Sequence, residues 1–85
     1  MPTVKIVMDV VKPLKEPNIF TLAYNLLEIN GVKSVNIKVQ DVGADAIALL
    51  IEIVGSNIEF EKVKLVLEEV GATVNSVNEV SLSKD

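Results

Sequence analysis

The sequence predicts an α+β fold in which two β-α-β halves share one antiparallel sheet, and three observations carry that prediction. Leu27-Glu28-Ile29-Asn30-Gly31 is echoed by Leu67-Glu68-Glu69-Val70-Gly71, and each time a glycine closes an apolar-striped stretch before a valine-containing strand begins. A β-branched or continuously apolar run stands before each of those stretches, so each half reads strand, helix, strand. The chain has 85 residues, 49% hydrophobic and 24% charged, which is the composition of one globular domain spanning residues 1–85.

Thr3 to Val11 is rich in β-branched residues, with Val4, Ile6, Met8 and Val10 on one face and Lys5, Val7, Asp9 and Val11 on the other, which predicts the first strand. Lys12-Pro13-Leu14-Lys15-Glu16-Pro17 carries two prolines, which donate nothing to a ladder and push their predecessors out of the helical region, so a loop is expected. Asn18 is placed to cap a helix beginning at Ile19, and Ile19, Leu22, Ala23, Leu26 and Leu27 follow the spacing of an amphipathic helix. That helix is expected to end at Asn30-Gly31, where glycine accepts the left-handed cap. In Lys33 to Asp41, Val35, Ile37 and Val39 alternate with Asn36, Lys38 and Gln40, the signature of a strand wet on one face. Val42-Gly43-Ala44-Asp45 supplies turn chemistry for a hairpin into Ala46 to Val54, whose nearly continuous apolar run predicts a central strand. Ser56-Asn57-Ile58-Glu59 reads as a capping box for a second helix with the stripe Phe60, Val63, Val66, Leu67 and Val70, closed by Gly71. Thr73 to Leu82 is the last strand; Val74, Val77, Val80 and Leu82 break strict period two, which predicts a bulge.

The order β-α-β-β-α-β, with right-handed crossovers on one sheet, is that of a ferredoxin-like sandwich with strand order 4-1-3-2 and both helices on one face. If Val4, Ile6, Met8, Ile47, Leu49 and Ile51 point at the helices, then Val7, Val11, Ala48, Leu50 and Val54, together with Val77, lie on the opposite, uncovered face beside Lys5, Asp9, Lys38 and Glu52. A chain of this size buries only roughly 60–65% of its extended surface, so association that hides more apolar surface is a natural supplement. Sheet-face or edge-strand packing between copies is therefore expected, with Val7, Val11, Leu50, Val54 and Val77 in the contact.

Composition removes several chemistries. The chain has no His, Cys, Trp or Arg, which leaves out imidazole and thiolate chemistry and disulfides. No apolar run reaches the roughly 18–20 residues of a membrane span, and Met1 to Lys5 lacks the regions of a signal peptide, so a cytoplasmic protein is expected. A net charge of −4 argues against a nucleic-acid partner, whose phosphates require clustered Lys and Arg. A metal chaperone of this shape needs a cysteine pair in the first loop, an acylphosphatase needs an arginine cradle, and an RNA-recognition module needs aromatics on the central strands, whereas Phe20, Tyr24 and Phe60 fall on helical stretches.

Three constellations remain. Asp9, Glu52 and Glu79 fall on strands one, three and four, which are neighbours in the expected order, and three carboxylates brought together would need a hard cation, Ca2+ or Mg2+, or a lysine. The alternative is that they pair with Lys5 and Lys38. Lys12-Pro13-Leu14-Lys15 places two cations in a stiff loop at the start of helix one, where an anion could be held. Glu59, Glu61, Glu68 and Glu69 with Lys62 and Lys64 read as the solvated face of helix two.

Val7-Met8-Asp9-Val10-Val11-Lys12-Pro13, Glu16-Pro17-Asn18-Ile19, the junction Gly31-Val32-Lys33-Ser34-Val35-Asn36-Ile37, Gly55 and Val77-Asn78-Glu79-Val80 together resemble the archaeal domain of unknown function 211 family over nearly the whole chain. The most specific part is Asp-x-x-Lys-Pro, Asp9 to Pro13, followed by Glu16-Pro17. The resemblance implies small cytosolic ferredoxin-like proteins that assemble into multimers such as rings, with no established activity. Where that family often has a histidine between its two prolines, this chain has Leu14 and Lys15, which weakens any acid–base or histidine–metal role for the loop. The expected function is a non-catalytic, regulatory, homo-oligomeric module holding a divalent cation or small ligand between subunits. The rivals are a small enzyme working through Asp9, Glu52 and Glu79 and, behind it, a nucleic-acid-binding protein.

Overall fold

Alternation in β1, Thr3–Pro13, sends every even-numbered residue from Val4 to Lys12 inward, and the other five elements assemble around that strand. A computed structural model describes residues 2–84. In chain order the elements are β1, α1 (Ile19–Leu27), β2 (Val32–Val42), β3 (Ala46–Ser56), α2 (Phe60–Glu69) and β4 (Thr73–Ser83). The four strands form one antiparallel sheet in the order β2-β3-β1-β4, so the ferredoxin-like order 4-1-3-2 is the one observed. Met8, Val10, Leu49, Ile51 and Ile53 from the central strands meet Leu22 and Leu26 of α1 and Val63 and Leu67 of α2 in the core.

Several boundaries differ from expectation for identifiable reasons. β1 runs on through Lys12 to Pro13, because β4 stops opposite Val11 and Pro13 lies where β1 has a neighbour on one side only. Asn18 caps α1 as its side chain predicts, accepting from the Thr21 amide at 2.9 Å. The capping box does not form: Ser56 ends β3, its amide donates to the Gly31 carbonyl at 2.9 Å, and Glu59 stands at the N-cap of α2 with no side-chain cap bond. α1 also ends sooner than the expected Asn30-Gly31: it stops at Leu27 and the chain turns through Glu28–Asn30. α2 does end on a glycine: Gly71 (φ +75) donates to Glu68 and Ala72 donates to Leu67, which satisfies two orphan carbonyls of the last turn.

Gly31 and Gly55 show why glycine is required at the seam between the halves. A Cβ built on Gly55 would strike the Gly31 carbonyl, and one on Gly31 would strike the Ser56 carbonyl, so backbone lies directly on backbone there. The bulge expected in the last strand is present twice, with register shifts opposite Val7/Met8 and Asp9/Val10 that leave Asn78 and Asn75 as extra residues.

Each strand has 11 residues and the helices only 9 and 10. At about 3.3 Å per strand residue and about 1.5 Å per helix residue, the sheet far outruns the helices that cover it. α1 lies over β2 and α2 over β4; Val4 and Lys12 near the two ends of central β1 are still buried, and the uncovered helix-side residues lie on the outer strands, at Val39 and Val42 of β2 and at Val77, Val80 and Leu82 of β4.

Candidate functional site

The three predicted carboxylates do not form one cluster. Val7 is paired with Glu52 on one side and with Glu79 on the other, so those acids sit two strand spacings apart, about 10 Å at the backbone. The Lys5 ammonium closes that gap, 3.3 Å from Glu52 Oε2 and 3.4 Å from Glu79 Oε2. The hydrogen bond to Glu52, with the nearby Glu79 charge, holds the lysine above its ordinary value of 10.5. Lysine thus takes the position a cation would occupy, and no group of three His, Cys, Asp or Glu is placed to hold a metal ion among the described residues.

Asp9 serves a different neighbourhood. Its Oδ2 accepts from Asn78 Nδ2 at 2.9 Å and lies 3.2 Å from the Ser76 hydroxyl, which has one proton to share between Asp9 and Asn78 Oδ1, 2.7 Å away. These contacts tie β1 to the doubly bulged part of β4. Nothing in the residue pattern announces them, because an Asp facing bulge residues follows from the register alone.

The two cations of the first loop also part company. Lys12 is only 3% exposed, and its ammonium donates to the Pro13 carbonyl at 3.1 Å and the Lys15 carbonyl at 2.7 Å, while Lys15 stays exposed. Lys12 therefore fastens its own loop. The cavity beside it, about 380 Å³, is walled mostly by aliphatic groups of Pro13, Leu14, Ile19 and Ile47.

The predicted contact residues divide between the two faces of the sheet. Val7, Val11, Leu50 and Val54 lie on the helix-free face, half-buried by their neighbours and flanked by Lys5, Asp9, Lys38 and Glu52. Val77 does not join them: the bulge at Asn78 shifts it opposite the buried Met8, onto the helix-bearing face. Apart from Leu65 on α2 (58% exposed), the most exposed apolar side chains, Leu82, Phe20, Val42 and Val80, stand on that second face beside the two free edges. Along β4, Val77, Val80 and Leu82 (68% exposed) border a groove of about 310 Å³ closed by Ile58 and Phe60. Along β2, Val39 and Val42 (63%) accompany Phe20 (68%) and Tyr24 of α1, whose rings meet edge to face at 5.1 Å. Sequence reasoning placed Phe20 and Tyr24 on a helix without seeing that they point outward, and the broken alternation of β4 concealed the exposure of Val80 and Leu82.

No helix among the described residues is long and apolar enough to cross a membrane. The model of the domain of unknown function 211 family, described as "Uncharacterized ArCR", matches residues 4–85. The chain is also similar to the "Uncharacterized protein MJ0319" of Methanocaldococcus jannaschii, with 31% identity over 80 residues, which covers 94% of this chain and 81% of that relative.

Proposed function

This chain belongs to the archaeal domain of unknown function 211 family, and from that premise we propose that it is a non-catalytic module whose work is to assemble with copies of itself. The observation that carries the reading is the location of the exposed apolar side chains. Val39 and Val42 stand on one free edge strand and Val77, Val80 and Leu82 on the other, with Phe20, Tyr24 and the β4 groove beside them. A free edge presents unpaired N–H and C=O groups that another strand can pair with, and contiguous exposed apolar surface marks a contact. The two apolar edges differ from each other, so contact between them is head to tail, the arrangement that closes into a ring when the rotation per step permits.

Residue chemistry favours assembly over catalysis. The chain has no histidine, cysteine or arginine, and Lys5, held protonated between two carboxylates, is the reverse of an available base. Sedimentation velocity at micromolar concentration is the test. A species several chains in mass is expected, and a single chain at every concentration would remove the reading.

A further inference from the structure

We infer that copies join β2 to β4 in level register, so that the sheet of one molecule continues into the next; this rests on the assembly proposed above and specifies its interface. The pairings across the sheet fix which residues stand level at its two edges. Val35 is opposite Ile53, Ile53 opposite Ile6, and Ile6 opposite Val80, so Val35 and Val80 occupy the same rung. By the same count Val32 is level with Leu82, Ile37 with Val77, and Val39 with Val74. All four rungs on the helix-bearing face would therefore pair an aliphatic residue with an aliphatic residue.

The other face matches as well. Ser34 is level with Ser81, Asn36 with Glu79, Lys38 with Ser76, and Asp41 with Thr73. No like charges meet, and Lys38 falls one diagonal step from Glu79, the only charged residue of β4. A one-residue slip would set each aliphatic row against a polar one. Direction agrees too: three successive antiparallel pairings make β2 and β4 antiparallel, so a copy set alongside without being turned over meets its neighbour as an antiparallel strand. The same placement lays the α1 surface around Tyr24, Leu27 and Val35 beside the groove around Val80 and Phe60.

The absence of native cysteine makes the register directly testable. Within one molecule β2 and β4 are separated by β3 and β1, about 14 Å, which no disulfide spans, so any bond between the edges joins two molecules. Val35→Cys/Val80→Cys, oxidised with copper phenanthroline, is expected to give a covalent series on a non-reducing gel. Ser34→Cys/Ser81→Cys, at exposed positions that bear no packing, is expected to do the same. Val39→Cys/Val80→Cys, out of register, should stay a single chain. Multimers in sedimentation with neither level pair linking, or with the out-of-register pair linking equally, would overturn the register while leaving assembly standing; a single chain in sedimentation would end both.

Discussion

Lys5 shows how one residue decides what a carboxylate cluster becomes. Two acids on either side of a central strand repel unless a positive charge reaches both, and a lysine two residues along the same face does so at 3.3 and 3.4 Å. Its protonated form is favoured in the folded chain, so its pKa lies above 10.5 when folded and near that value when unfolded. The stabilisation is therefore complete below about 10.5 and is lost as pH rises through the higher folded value. Urea midpoints measured across that alkaline window should fall in the native chain more steeply than in Lys5→Met, which lacks the titrating group; parallel curves would show the pairing to be without effect. The acids and the lysine were legible in the sequence as alternating residues of predicted strands. What was hidden was which strand neighbour each acid faces, and a pair of bulges in β4 moved Val77 across the sheet and turned Asp9 toward Ser76 and Asn78.

Helix ends make the same point at the scale of elements. Every element was visible from periodicity and turn residues, and the errors fall at boundaries where a tertiary contact outweighed a local preference. Ser56 has the chemistry of a cap, yet its backbone is claimed by Gly31 and by the ladder to Thr3, so α2 begins after Glu59 instead. The two helices are therefore capped unequally, and mutation should reveal it. Asn18→Ala should lower stability by about 1 kcal/mol, since it orphans the Thr21 amide. Ser56→Ala should change it by less than about 0.5 kcal/mol. Glu59→Asp, which offers α2 the side-chain acceptor it lacks, should raise it by about 0.5 kcal/mol. Thermal or urea unfolding of the three variants checks this, and a Ser56→Ala loss as large as that of Asn18→Ala would restore the capping box.

Across the whole molecule, a sheet four strands wide under only two helices, of 9 and 10 residues, is the organising fact. Two short helices seal the centre of the sheet, where Met8, Leu49 and Ile51 are fully buried, and leave aliphatic residues bare along both edges. Sequence patterning marks apolar positions but carries no measure of how far a helix reaches over a strand, so the helix-free face looked greasier, and the edges drier, than they are. Val7, Val11, Leu50 and Val54 are half-covered by polar neighbours, whereas Phe20, Val42 and Leu82 stand in water. An assembly driven by these edges should survive salt, because ion pairs are screened at about 3 Å in 1 M electrolyte and apolar contacts are not. Native mass spectrometry after exchange from 1 M salt, comparing the wild-type chain with Val80→Lys, tests the edge contact most directly. The wild-type chain should appear as a closed multimer and Val80→Lys as a single chain; a monomeric wild type, or a variant that assembles equally well, would contradict it.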